Sequence, residues 1–160
     1  MNLDIVPRMD LDVLATSTLP PTSPRALDLV RCIEDEVLKV PQVEIPTHHV
    51  LHAGIYSRTI CIPAGVVLTG ALIKIPTNLV INGCASVLIG DGEEVLVQGY
   101  KVLAASAGRK VAYIAHADTH VTMYFKTDAK SVEEAEAEFT DEADRLLSRN
   151  GANEVVITGE

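Results

Sequence analysis

The run IPAGVVLTGALIKIPTNLVINGCASVLIGDGEE, from Ile62 to Glu94, decides the fold class of this chain. It opens on Ile62-Pro63-Ala64-Gly65, alternates in apolar character to Ile81 and breaks at Asn82-Gly83. A second run reaches Ile89 and breaks again at Gly90-Asp91-Gly92-Glu93. Short apolar runs of period two, with turn residues every ~8–12 positions, argue for a closed all-β sandwich or barrel. Asn82-Gly83 and Asp91-Gly92 tolerate positive φ and are expected to make tight hairpin turns. The same reading places strands over 57–62, 66–75, 78–81, 85–89, 94–98, 101–104, 111–115 and 120–125.

One helix is predicted on each side of this region. Ser23 is placed to cap the first, Pro24 suits its first turn, and Leu27, Val30, Ile33 and Val37 share one face, with Pro41 as the stop. Val43–Ile45 before Pro46 reads as a short edge strand. Ser131 with Glu134 forms a capping box for the second helix, whose apolar face runs through Val132, Ala135, Phe139, Ala143 and Leu146 to a stop at Asn150-Gly151. The expected organisation is therefore an extended arm over 1–22, one domain over 23–149 and a β-prone tail over 150–160. Leu19-Pro20-Pro21-Thr22 stiffens the exit of the arm. Leu3, Ile5, Val6, Met9, Leu11, Val13 and Leu14 give that arm more apolar surface than a free tail should expose. In the tail, Glu154-Val155-Val156-Ile157-Thr158 can add a strand to a sheet edge, its own or a neighbour's. The arm and the tail residues Val155, Val156 and Ile157 are the candidate interaction surfaces.

Composition narrows the function classes. At 160 residues and 48% hydrophobic, the chain is expected to form one domain with a real core and no need of disulfides. No apolar run reaches the ~18 residues of a membrane helix, and the acidic start MNLDIVPRMDLD lacks the pattern of a secretory signal. The formal charge of −9, with Arg109-Lys110 as the only adjacent basic pair, disfavours nucleic acid as a partner. Cys32, Cys61 and Cys84 are odd in number and scattered, as buried thiols in a reducing compartment would be.

Chemistry-bearing patterns are sparse. His48, His49 and His52 fall on a loop or strand, where His48 and His49 point to opposite faces. His116 and His120 bracket Asp118 and Thr119 in an apparent turn. A metal or a proton-transfer pair there is the sharper reading, and a solvated turn the plainer one. His116, His120 and His48 are thus weak candidate metal ligands, and no residue stands out as catalytic. The acidic run from Glu133 to Glu138 lacks the alternation of a calcium loop and reads as a wet helix face.

Several short motifs resemble those of the cupins, and more closely the small cupin-like proteins that tailed bacteriophages encode. They are Pro46-Thr47-His48-His49, Gly54-Ile55-Tyr56-Ser57-Arg58, Ile62-Pro63-Ala64-Gly65, Leu68-Thr69-Gly70-Ala71, Ala107-Gly108-Arg109-Lys110, His116-Ala117-Asp118-Thr119 and the Glu133–Glu138 helix, across roughly residues 40–140. The resemblance implies a mainly β, cupin-like β-barrel or jelly roll with one N-terminal and one C-terminal helix. A metal-binding cupin would carry histidines at Ala71, Ile73 and Val111 and a glutamate near Thr77 or Asn78. Aliphatic side chains offer a metal no lone pair, so the ligand set departs from the family pattern and no cofactor is expected. The implied function is non-enzymatic: a structural or assembly protein of a tailed-phage virion, such as a capsid-decorating or head-to-tail accessory protein. Its expected partners are copies of itself or other virion proteins, with no membrane, and its place the virion or the host cytoplasm. Two alternatives stand beside this. One is an enzyme or small-ligand binder using the barrel mouth, with His116, His120 or Arg109 in place of the missing ligands and Ile73, Ile75, Val111 and Tyr113 lining the pocket. The other is a phage regulator that binds a host protein.

Overall fold

A computed structural model describes residues 17–149 and 151–160. The chain is mainly β. In order it forms β1 (Thr18–Leu19), α1 (Pro24–Val37), β2 (Thr47–His52), β3 (Ile55–Ile62), β4 (Val67–Thr69), β5 (Thr77–Ile89) and β6 (Glu93–Ala105). Then come β7 (Ala112–Ala115), β8 (Thr119–Lys126), α2 (Val132–Phe139), two single 3-10 turns and β9 (Asn153–Ile157). The strands form one mixed sheet in the order β1-β6-β5-β8-β3-β2-β9, with β7 on the distal half of β5 and β4 on β7. It does not close on itself. The β1–β6 and β2–β9 pairs are parallel and the others antiparallel.

The sheet is folded across β5. Asn78–Asn82 pair with β8, whereas Ala85–Leu88 pair with β7, and β6 follows β5 along its full length. The fold line crosses Gly83, whose register partner on β6 is Gly99. Asn82-Gly83 is therefore a bend inside one continuous strand, not the expected hairpin, and the runs expected at 78–81 and 85–89 are halves of β5. The expected 94–98 and 101–104 are likewise halves of β6. Asp91-Gly92 does make the β5–β6 hairpin, with Gly92 at φ 92° and its N–H on the Ile89 carbonyl.

Gly83 is forced by contact as well as by conformation. At φ 152°, a Cβ there would lie 2.5 Å from Thr119 Oγ1 and 2.7 Å from the Asp118 carbonyl oxygen. The fully buried Thr119 hydroxyl accepts from the Cys84 N–H at 3.1 Å and lies 2.8 Å from the Ala117 carbonyl, to which it donates. The backbone N–H groups of His116 and Ala117 donate to the Cys84 carbonyl. The β7–β8 connection is thus sewn to β5 at the fold line.

The helices start as the sequence predicts. Ser23 Oγ accepts from the Ala26 N–H and Pro24 occupies the first turn of α1. Ser131 Oγ accepts from the Glu134 N–H in α2. Helix α2 stops at Phe139, earlier than its apolar face suggests. Thr140 turns extended, donates its hydroxyl to the Leu72 carbonyl, and leaves the Phe139 carbonyl to the Lys74 N–H. Ala143 consequently opens a separate 3-10 turn, Ala143–Arg145, which Leu146 ends. Val43–Ile45 is not a strand, because β2 begins only after Pro46. The strand expected over 66–75 shortens to β4, beyond which the Gly70 N–H donates to the Val111 carbonyl and Ile73 forms an isolated antiparallel bridge with Arg109.

One boundary moves. Leu19 is fully buried in the main core, β1 pairs with β6, and Thr22 exchanges hydrogen bonds with Lys110, so residues 17–22 belong to the domain and not to an arm. The candidate interaction residues Leu3, Ile5, Val6, Met9 and Leu11, with Val13 and Leu14, lie outside the described residues. The 150–160 tail supplies β9, on its own chain's β2.

Replacing Gly83 by alanine should destabilise the fold by about 2–3 kcal/mol or more, since strain and a clash with backbone act together. Urea melts of wild type and Gly83→Ala check this; a loss below about 0.5 kcal/mol would show that the corner relaxes freely.

Candidate functional site

A cavity of about 540 Å³ lies between the two halves of the folded sheet. Leu79, Val121 and Met123 line it from one half, and Leu68, Val111 and Tyr113 from the other; the loop after α1 and the segment after α2 border its mouth. Its volume is that of a small-molecule pocket, and its wall is mainly apolar, with Glu34, Arg58, Arg109, Glu142 and Arg145 as its charged members. Three of the four residues expected to line a pocket, Ile73, Val111 and Tyr113, do so, and Arg109 joins them. Ile75 does not line it.

Two side-chain networks clamp the borders of this cavity. The fully buried Lys110 ammonium lies 3.3 Å from carboxylates of both Glu34 on α1 and Glu142, and donates to the Gly70 carbonyl at 2.8 Å. Burial alone would raise the Glu142 carboxyl, but the Leu72 N–H and the Lys110 charge outweigh it and hold the group below its ordinary range. On α2, the buried Glu136 carboxylate receives Arg58 from β3 at 3.2 Å and also Arg149.

Arg109 differs from both. It is 3% exposed and makes no ion pair among the described residues. Its Nη1 donates to the carbonyls of Ala105 and Ser106, and its Nη2 to Thr77 Oγ1 at 2.6 Å and towards Met123 Sδ. Burial pushes its pKa down, partly offset by Tyr113. Tyr113, 5% exposed, is pushed up to about 12 by burial, with Arg109 opposing.

The histidines separate by face. His48 and His52 point outward from β2, His48 pairing with Glu154 of β9 at 2.8 Å and His52 with Thr158, just past that strand, at 2.6 Å. His49 points inward and is buried, its Nδ1 2.8 Å from the Tyr56 hydroxyl and its Nε2 without a partner. Tyr56 in turn packs on Phe125 and Phe139. His116 and His120 are both exposed: His116 bonds Ser86 Oγ, and Asp118 between them accepts from the Ala64 N–H. Among the described residues, no group of three or more His, Cys, Asp or Glu side chains is placed to hold a metal ion. No helix there is long and apolar enough to cross a membrane.

A second feature lies on the sheet's far edge. Along β9, Val155, Val156 and Ile157 are 51, 53 and 50% exposed, although the strand is paired with β2 over Asn153–Ile157. On the outer face Val156 stands beside the partly exposed Val50. Beyond β9 no further strand covers the edge among the described residues.

Sequence reasoning brought the pocket residues together but missed the roles of Lys110, Glu136, Tyr56 and His49. The Arg109-Lys110 pair carried a signal: two adjacent cations flanked by Gly108 and Val111 in an apolar stretch are a poor fit to a wet surface.

No protein-family model matches the chain, and no curated protein matches it. Among solved structures, a conserved protein of unknown function from Streptococcus pyogenes aligns at 15% identity with a TM-score of 0.41, over 72% of this chain and 98% of that one.

Two measurements test this geometry. Burial, first, and the nearby Arg58 charge hold His49 down at about 4, with Glu133 opposing. Between that value and the ordinary ~6.5 the unfolded chain binds the extra proton, so stability falls as pH drops through this window. The loss reaches about 3 kcal/mol at pH 4. Urea melts from pH 7 to 4 should show that slope, reduced by this amount in His49→Phe; parallel slopes would remove His49 as its source. Lys110→Met, which leaves two carboxylates without their shared cation, should cost about 3–5 kcal/mol, with partial recovery on adding Glu142→Gln. Additive losses in that double-mutant cycle would mean that the two residues do not interact.

Proposed function

We propose that this chain is a non-enzymatic, cupin-like jelly roll that works by assembly, as a component of a tailed-phage particle. The observation that carries the assembly reading is the unguarded edge at β9. Sheet edges are ordinarily blunted by lysine, proline, a bulge or a covering element, because their free N–H and C=O groups template pairing with other chains. Here Asn153–Ile157 contains no lysine or proline and one charged residue, Glu154, which turns to His48 on β2, and it holds three half-exposed aliphatic side chains in a row.

The proposed first partner is a second copy of the chain. Antiparallel pairing of β9 with itself, centred on Val155, sets Glu154 opposite Val156 and keeps the two Glu154 carboxylates apart, so one two-fold contact joins aliphatic side chains without like charges facing each other. The jelly-roll reading is supported by the long strands shared between the two sheet halves and by the place of the cupin-like positions. Ala71, Ile73 and Val111 all line the cavity, and Thr77 holds Arg109. The particle reading rests on the phage-like sequence motifs.

Sedimentation velocity of the full chain should find a dimer or larger species at about 100 µM, where a contact of modest affinity is populated. Because each copy carries a formal charge of −9, added salt should favour association. Val156→Lys should return the monomer with an unchanged melting transition. A wild-type monomer in high salt would overturn the self-assembly reading. Mass spectrometry of purified source particles decides the virion role, which fails if the chain is absent at structural copy number.

A further inference from the structure

Three charged side chains are buried among the described residues: Lys110, Glu136 and Arg109. Lys110 is matched by Glu34 and Glu142, and Glu136 by Arg58 and Arg149. Arg109 has no counterion. The nearby carboxylates are committed elsewhere, Glu34 to Lys110 and Arg145, and Glu142 to Lys110 and Arg31. An uncompensated buried cation is costly, and carbonyl dipoles replace only part of its hydration.

The donor count points the same way. Two carbonyls take the Nη1 protons, and Thr77 and Met123 take those of Nη2. This leaves the Nε–H, the fifth donor of the guanidinium, without a partner among the described residues. Tyr113, also lining the cavity and nine-tenths buried, has a hydroxyl that makes no hydrogen bond to any described residue. One unpaired positive charge and two free donors therefore belong to a cavity of about 540 Å³ whose remaining wall combines aliphatic side chains with the ion-paired Glu34, Arg58, Glu142 and Arg145.

We infer that this cavity is a binding site for a small amphipathic monocarboxylate, its anionic head on Arg109 and Tyr113 and its apolar body between Leu79, Val121, Leu68 and Val111. A carboxylate supplies the missing charge and accepts both donors. An alcohol of the same length accepts them without neutralising the guanidinium, and an amine repels it. Pockets of this size take whole small-molecule ligands, so an eight-carbon chain is short enough to serve as the probe. The site is independent of the assembly reading, since β9 contributes nothing to its wall.

Isothermal titration calorimetry of the full chain with octanoate, octan-1-ol and octylamine tests the inference. Octanoate should bind at least about tenfold tighter than octan-1-ol, and octylamine should not bind. Tyr113→Phe, which removes one donor and little volume, should weaken octanoate about three- to tenfold and leave octan-1-ol unchanged. Arg109→Met should abolish the preference for octanoate. Because Arg109 also ties Thr77 to the Ala105 and Ser106 carbonyls, Leu68→Trp provides a second variant, which should block both ligands by filling the cavity. Failure of all three probes to bind at about 1 mM would overturn the proposal. So would equal affinity for octanoate and octan-1-ol, or octanoate binding that survives both Tyr113→Phe and Leu68→Trp.

Discussion

The close approach of Thr119 to Gly83 is the constraint on which the architecture depends. Strands β5 and β6 are each thirteen residues long and paired throughout. Left as a simply twisted ribbon, such a hairpin offers each neighbouring strand one continuous edge. Bent at the Gly83–Gly99 line, β5 presents two edges in two directions, one taken by β8 and the other by β7. The cavity exists because those halves face each other. Thr119 locks the bend, since its hydroxyl joins Cys84, next to the corner, to Ala117 of the β7–β8 connection and no Cβ could fit between it and β5.

What closes over this folded sheet is held by buried apolar side chains, Ala26 and Val30 of α1 and Ala135 and Phe139 of α2, and by buried charge. Helix α1 is held at one end by the β5–β6 turn, where the Ser23 N–H meets the Gly90 carbonyl, and near the other by Glu34 on Lys110. Helix α2 combines Phe139 in the aromatic cluster with Glu136 on Arg58. Each buried ion in these clamps has a partner from another element, so the pairs specify which helix goes where as well as contributing energy. Arg109 stands outside this pattern. Its charge is turned towards the cavity region with only dipoles to answer it, which separates it from the cations that serve the fold.

The elements legible in the sequence were those whose signals are local. Ser23 with Pro24, Ser131 with Glu134, and Asp91-Gly92 were readable because capping and hairpin chemistry is completed within a few residues. Asn82-Gly83 was not. The dipeptide that suits a hairpin suits a bend equally well, and what decides between them is Thr119, distant in sequence. The same holds for α2, which ends where Thr140 meets the Leu72 carbonyl, a contact invisible to helical periodicity. Leu19 was read with the prolines that follow it as part of an extended spacer, whereas its burial depends on β6 offering a parallel partner. At the site, the cupin resemblance implied a pocket lined by Ile73, Ile75, Val111 and Tyr113, of which all but Ile75 line the cavity, but no pattern announces that Arg109 and Lys110 are both buried. That outcome rests on carbonyls from Ala105 and Ser106 and carboxylates from Glu34 and Glu142, each set by tertiary structure.

The energetics of β9 connect the fold to the proposed assembly. Ordering its five residues costs about 5–10 kcal/mol of backbone entropy. Main-chain pairing with β2 returns roughly 1 kcal/mol per hydrogen bond, on the order of 5 kcal/mol in all. Half-burial of Val155, Val156 and Ile157 adds about 3 kcal/mol, at roughly half the value of full burial for each. The two sides are nearly equal, so β9 alone gives the domain almost nothing, in contrast to Leu19 or Phe139. A strand held at balance by its own sheet is readily tipped by any surface that covers its remaining aliphatic half. Covering that half would return a further ~3 kcal/mol per copy, enough to make the docked strand a property of the assembly more than of the single chain.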